Sequence, residues 1–374
     1  MKKALIACIT GLVLMAICLL FLMIAVINKG GLEVRRVNTS NLELVNTQEV
    51  DMGDISSVDI RFSSDDVVFY TSDSDKLILK EYMNYTPEDH ELAKITTTGQ
   101  GVSIQGRRND RKVFISWNEN SRAEIYLPVG YAGSINVNTS SGDILSDLVL
   151  ALTEFVSNSS SGDVYINEIK GENIKITTSS GNITIEKAEG NRQLSATSGD
   201  IRVFGGEGDS EVRTSSGNIT MENAVGKVYI SANSGDIKLF HSIGEKNIKS
   251  SSGNITLDNV TGLVEITSSS GDVRIMALSS AGTISTSSGN ILYELDEVTD
   301  DITIKANSGD VTLSLPREIT CDFAARTTSG SINTFFDDAL SYDEDREKAE
   351  GMVGEGEDRM IRIDTTSGNI KVLD

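Results

Sequence analysis

Ser216-Gly217-Asn218-Ile219-Thr220 is the stretch from which the fold is read, because it returns along the chain. A Ser-Gly-Asp or Ser-Gly-Asn tripeptide places its glycine at 142, 162, 181, 199, 217, 235, 253, 271, 289 and 309. Gly330, in Ser-Gly-Ser, and Gly368, in Ser-Gly-Asn, extend the series. From Gly181 to Gly289 the spacing is 18 residues six times running. Self-similarity at a fixed period marks a repeat architecture.

One unit, Gly217 to Ser234, shows what is repeated. Ile219 and Met221 alternate with polar residues, as in a strand with one buried face. A turn follows at Glu222-Asn223, and Gly226 marks a second bend. Val228 and Ile230 alternate again before the next glycine. Two such short strands cannot bury a core alone, but stacked copies can, each bonding to the rung above and below. The expected inward set is Ile219, Met221, Ala224, Ile230 and Ala232, a narrow apolar interior. The chain therefore reads as all-β, a β-solenoid (β-helix) of ~18-residue rungs rising about 4.8 Å each. A coil of 36 residues is the rival, but it would enclose more space than these aliphatics fill.

A second period supports that rival. The residue after glycine alternates from Asp163 through Asn182, Asp200, Asn218, Asp236, Asn254, Asp272 and Asn290 to Asp310. Two positions on, Arg202, Lys238 and Arg274 accompany Asp, while Thr184, Thr220 and Thr256 accompany Asn; Leu292 breaks the pattern. Residues i and i+2 share a strand face, so each Asp is expected beside its own cation. With 18-residue rungs the alternation doubles the distance between stacked carboxylates, halving a repulsion of roughly 0.9 kcal/mol at water dielectric.

The N-terminus has another character. Lys2 and Lys3 precede an uncharged, nearly all apolar run from Ala4 to Ile27. That is long enough for a spanning helix and too long for a signal-peptide core. The expected order is a cytoplasmic tail at 1–3, a transmembrane helix at 4–27, a stalk at 28–43, an N-terminal β cap at 44–128 and the solenoid at 129–374. Leu5-Ile6-Ala7-Cys8 resembles a lipoprotein cleavage box but lacks the apolar stretch that should precede it. The cap carries strand candidates without the 18-residue period, and it holds the lone tryptophan, Trp117. Leu127-Pro128 and Leu315-Pro316 each stand 14 residues before a corner glycine and read as starts of a run of rungs. Residues 337–358 carry ten acids and two bases and read as an exposed acidic loop. The strands around Ile361 and Ile370 are then expected to close the ladder.

Chemistry is sparse. Net charge is −22, which opposes binding to nucleic acid and to other polyanions. Cys8 and Cys18 lie in the apolar run and Cys321 is alone, so no disulfide framework forms within one chain. Cys321 is expected to be a buried small residue, and His90 and His241 surface residues. Calcium would need several oxygens per site, whereas each repeat offers one Asp or Asn; Gly205-Gly206-Glu207-Gly208-Asp209 is the nearest match to a calcium-binding repeat. The rungs show no acid cluster of a polysaccharide lyase. No catalytic, cofactor-binding or metal-ligating residue is assigned, no cofactor is expected, and the protein reads as not an enzyme.

The recurring Thr-Ser-Ser-Gly-Asp/Asn-Ile (Thr139 to Ile144, Thr178 to Ile183), the Leu-Pro at 127–128 and the Gly356 to Lys371 segment resemble the bacterial putative-adhesin family, a domain of unknown function. The resemblance covers roughly 44–374 and implies a membrane-anchored β-solenoid at the cell envelope. The expectation is a single-pass cell-membrane protein, bulk extracytoplasmic, acting as a non-enzymatic surface binding or adhesion module. Its partners are then the membrane, through 4–27, and a protein or envelope component. The alternatives are an accessory of envelope-stress signalling that binds a membrane protein, and a structural spacer.

Overall fold

The computed structural model describes residues 41–106, 120–279, 281–354 and 359–374, and Leu44–Asp374 form one compact unit. The transmembrane helix expected at 4–27, the tail before it, the stalk up to residue 40 and Trp117 lie outside the described residues. Among the described residues no helix is long and apolar enough to cross a membrane. The only helical turns described are Asp89–Glu91 and Asp337–Ala339; the rest is strand, bend and turn.

The expected β-solenoid is present, with 18-residue rungs. Ile219–Glu222 and Val228–Ser234 are the two strands of one rung. Ile219 lies between Ile201 and Ile237, and Ile230 between Val212 and Ile248, all in parallel register. A 36-residue coil would have paired Ile219 with Ile255 instead. Ile219, Met221, Ala224, Val228, Ile230 and Ala232 are all buried, so the inward set is the expected one with Val228 added. Larger side chains enter where there is room: Phe69, Phe155, Tyr293 and Phe323 are all fully or nearly fully buried.

The corners explain the motif residue by residue. A Cβ on Gly217 would stand 1.9 Å from the carbonyl oxygen of Gly199, one rung away. Close stacking of corners, rather than φ, is what demands glycine there. The threonine three residues earlier faces inward and caps the turn: the Gly217 N–H donates to Thr214 Oγ1 at 3.0 Å. Thr139, Ser159 and Thr178 do the same for Gly142, Gly162 and Gly181. From Gly235 onward the corner glycine takes positive φ, +120° there and +122° at Gly253. The hydroxyls of Ser250, Thr286 and Thr365 are then buried without a hydrogen-bond partner. Thr214→Ala is therefore expected to cost about 1 kcal/mol, and Ser250→Ala to be neutral or stabilising. Denaturant midpoints of the two variants check this, and equal losses would contradict it.

The Asp/Asn alternation is also a hydrogen-bond ladder. The Oδ1 of each Asp or Asn accepts the backbone N–H of the next rung's Asp or Asn, as from Asn218 to Asp200 (2.8 Å) and from Asp236 to Asn218 (2.9 Å). The asparagine amide adds what a second aspartate could not: Asn182 Nδ2 donates to Asp163 at 3.1 Å. The expected cation beside each Asp is found in part. Arg202 reaches Asp200 at 2.6 Å, whereas Arg274 Nε turns to Met276 Sδ at 3.0 Å. Asn218→Asp would line up three carboxylates at rung spacing, at an expected cost of about 2 kcal/mol at low ionic strength. Salt should remove most of that loss, and a salt-independent loss would contradict the electrostatic account. At the N-terminal end Asp66, Asp143 and Asp163 do stack directly, through N–H to Oδ1 bonds of 2.9 and 2.8 Å. The Asp66 carboxyl is pushed up by burial first and by Asp143 and Asp65 next, against the hydrogen bond from Asp143.

Both ends differ from the linear stack expected. At the N-terminal end Gly101–Gln105 with Ser121–Pro128 form the outermost parallel rung. Ser57–Arg61 with Asp66–Ser72 lie next, and only then Ser134–Thr139 with Ile144–Ala151. Rungs thus begin at residue 57, within the segment 44–128 expected to be a separate cap. Its corner, Ser63-Ser64-Asp65-Asp66, carries Asp65 where the others carry glycine, since a Cβ on Gly142 would meet Asp65 O at 1.9 Å. The true cap is the antiparallel strands Lys76–Met83 and Lys94–Thr98, with Glu43–Asp51 paired to the former.

The C-terminal end mirrors this plan. Met360–Ser367 and Ile370–Leu373 were expected to close the ladder, yet they fill a slot inside it. They lie between the rung Ile302–Ser308 with Val311–Ser314 and the rung Cys321–Arg326 with Ile332–Thr334. Lys348–Val353 then covers Cys321–Arg326 antiparallel. The acidic segment is accordingly a capping structure as far as it is described, not a loop thrown out of the coils. Asp337 accepts from Thr334, Tyr342 and Arg346. Burial pushes its carboxyl up, but these hydrogen bonds outweigh burial and hold it down to about 2.

Each Leu-Pro thus has a different meaning from the one expected. Pro128 ends the strand Ser121–Pro128 and Pro316 follows the strand Val311–Ser314, each at the point where the chain steps over a slot filled by a remote strand pair. A residue without an N–H suits a segment that leaves the ladder.

Candidate binding groove

A second glycine column sets the other corner of the rungs. Gly190, Gly208, Gly226, Gly244 and Gly262 recur every 18 residues and all have positive φ. A Cβ on Gly190 would stand 1.7 Å from Gly171 O, and one on Gly244 2.3 Å from Gly226 O. Only Gly226 was read from the sequence as a bend, with Gly208 named just as part of a calcium-like run; the 18-residue spacing of its neighbours was the signal for the rest. The calcium-like Gly205-Gly206-Glu207-Gly208-Asp209 belongs to this column as one bend.

Two cations are built into this corner from inside. Arg192, 1% exposed, donates through Nη1 to Ala188 O (2.6 Å) and through Nε to Ser210 Oγ (2.7 Å). Its Nη2 reaches the carbonyls of Gly206 (3.5 Å) and Gly208 (3.4 Å). Lys246, fully buried, donates to Ser242 O (3.0 Å), Gly244 O (2.6 Å) and Thr261 O (2.8 Å). Burial pulls the Arg192 guanidinium down to about 10, against the pull of Asp209, and the Lys246 ammonium down to about 8. Nothing in the amphipathic pattern foretold either, because both stand where neighbouring rungs carry Ser210, Val228 and Val264.

Outside the same corner lies a groove of about 740 Å³ that crosses six rungs, from Glu154 to Glu245. The first rung contributes Glu154 alone, and each of the other five contributes a residue just after the bend and the outward residue two places on. The pairs are Asn173 with Lys175, Asn191 with Gln193, Asp209 with Glu211, Lys227 with Tyr229, and Glu245 with Asn247. Because glycines form the bend, side chains there do not crowd the groove.

The acids of the groove are largely engaged. Asp209 Oδ1 accepts the Lys227 N–H at 2.9 Å, Lys227 Nζ lies 3.0 Å from Glu245, and Glu211 pairs with Arg213. The Lys227 ammonium is raised by its hydrogen bond to Glu245. Arg213 and Lys249 flank the Tyr229 ring at 5.4 and 5.6 Å. By contrast, no hydrogen bond among the described residues involves the side chains of Asn173, Lys175 or Gln193, all of which are exposed. A second recess, of about 650 Å³, lies at the first Leu-Pro crossover beside the exposed Val129.

Other sequence candidates fall where the reading put them. Cys321 is 1% exposed and burial pushes its thiol up to about 11, with Asp322 adding to the effect. His90 and His241 are exposed. Among the described residues no group of three or more His, Cys, Asp or Glu is placed to hold a metal ion.

The family model described as Toastrack DUF4097 matches residues 55–242 and again 211–373. No curated protein matches. Among solved structures, a putative adhesin from Parabacteroides merdae is 14% identical, covering 72% of this chain and 94% of that one, with a TM-score of 0.32. A putative adhesin from Parabacteroides distasonis is 15% identical over 71% of this chain and 97% of that one, with a TM-score of 0.29. A putative lipid binding protein from Parabacteroides distasonis is 13% identical over 88% and 96%, with a TM-score of 0.19.

Proposed function

Since the chain belongs to the Toastrack DUF4097 family, we propose that it is a non-enzymatic surface-binding module. Residues 4–27 hold it at the cell membrane, and the solenoid stands outside the cytoplasm. The observation that carries the reading is the groove, a concave polar surface on a stack whose every backbone step is fixed by its neighbours. A rigid scaffold holding uncommitted side chains at regular spacing suits binding with little ordering cost. Asp209, Glu211 and Glu245 are tied to backbone N–H, arginine and lysine, which supports recognition over proton transfer. The apolar run Ala4–Ile27 supports the anchor.

Two measurements test this reading. Deleting residues 4–27 should shift the protein from the membrane to the soluble fraction, and protease added to intact cells should cut residues 44–374. A chain still bound to membrane, or protected in intact cells, overturns the placement. The full chain in lipid nanodiscs should also retain a component of solubilised envelope, and Lys175→Ala with Gln193→Ala should release it. Equal retention by both forms removes the groove from the reading. Capture of a membrane sensor would turn it toward an accessory of envelope-stress signalling.

A further inference from the structure

The backbone of the groove has nothing left to offer. Its strands pair in parallel on both sides, Asn173 with Asn191, Lys175 with Gln193, Glu211 with Tyr229, and Tyr229 with Asn247. An incoming peptide therefore finds no free edge on which to add as a strand. Recognition has to run through side chains alone.

Those side chains are arranged one station per rung. The groove crosses the strands, so its stations recur about every 4.8 Å along it. A polypeptide advances only about 3.3 Å per residue, so it falls out of step within two rungs. A nucleic acid or other polyanion meets Asp209, Glu211 and Glu245 in a chain of net charge −22. An extended chain of pyranose rings joined through equatorial 1,4-linkages advances by nearly one rung per sugar.

The free groups match that polymer. Asn173 and Gln193 each carry donors and an acceptor in one plane, and Lys175 carries donors only. Vicinal hydroxyls, each able to give and accept, satisfy such a set.

We propose that the groove binds a neutral, extended 1,4-linked glycan, one sugar per rung, through hydrogen bonds from Asn173, Lys175 and Gln193. The inference rests on the reading of the protein as a binding module and names its ligand class.

The test is titration calorimetry on the full chain in lipid nanodiscs. The probes are cello- and chito-oligosaccharides from disaccharide to octasaccharide, with polygalacturonate as the polyanion. One of the two neutral series should bind, with affinity rising to about the trisaccharide, because the three free groups lie on two adjacent rungs, and then levelling. Gln193→Ala and Lys175→Ala, both at exposed positions, should each weaken the hexasaccharide about tenfold while leaving the unfolding midpoint unchanged. Absence of binding at millimolar hexasaccharide, affinity independent of length, tighter binding of polygalacturonate, or unaffected variants would each overturn the proposal. Envelope retention separates the two readings. If the variants lose an envelope component that the hexasaccharide fails to displace, the ligand class is wrong and the binding module stands. If the variants retain it fully, the groove itself is not the binding surface.

Discussion

Gly217→Ala should destabilise the solenoid by more than about 4 kcal/mol, a loss outside the range of ordinary surface substitutions. The added Cβ would lie 1.9 Å from Gly199 O and 2.5 Å from Gly199 C. Both are backbone atoms of the adjacent rung, so no side chain can rotate away. Relief requires the corners to separate, and separation breaks the Asn218 N–H to Asp200 Oδ1 bond and the strand pairing next to it. Gly53→Ala is the control: its Cβ would have nothing within 4 Å, and its change should stay within about 0.5 kcal/mol. Chemical denaturation read by far-UV circular dichroism measures both. Stacked repeats can unfold piecewise, so amide exchange around 199–237 should accompany it. A Gly217→Ala midpoint as close to the parent as that of Gly53→Ala would mean that the corners are not stacked as described.

Truncation after residue 358 should be more damaging than deletion of a whole internal repeat. Ile361, Ile363, Ile370 and Val372 are all 0–1% exposed, and their loss alone removes roughly 6 kcal/mol or more of burial. It also empties a slot between two rungs, stripping Ile302–Ser308 and Cys321–Arg326 of the strand that joins them. The region 302–354 is then expected to become protease-sensitive. Removal of Gly217 to Ser234 should instead leave a shorter, intact stack, because Ile201 and Ile237 occupy equivalent positions on either side of Ile219. Limited proteolysis of both variants decides the matter. A truncated chain as resistant as the parent would contradict the interposed position of 360–373.

The period of the corner glycines, the two strands per unit and the inward aliphatics were legible because each is a local pattern repeated many times. The ends were not. Asp65 at a corner hid the rung at 57–72, since the reading depended on glycine there. The acidic content of 337–358 suggested solvent, yet Asp337 is bound by Tyr342, Thr334 and Arg346, and Ala349 is buried. The groove was illegible for a related reason. Asn173, Gln193 and Tyr229 lie 56 residues apart at the extremes, and polar residues at such positions read as ordinary solvent-facing strand residues. Arg192 and Lys246 were missed because a cation in a solenoid interior is stable only where a bend aims several carbonyls at it.

By itself the sequence determined the all-β solenoid, its 18-residue rung and the need for glycine at the corners. These follow from what each residue does within its own rung and the identical rung beside it. Only the tertiary structure decided the order of rungs at the ends, the crossovers at Pro128 and Pro316, and the groove over the second corner. The interactions within a rung are nearly the same wherever that rung is placed in the stack. Its place is chosen by which open edge needs covering, and that is a property of the assembled ladder rather than of any segment of the chain.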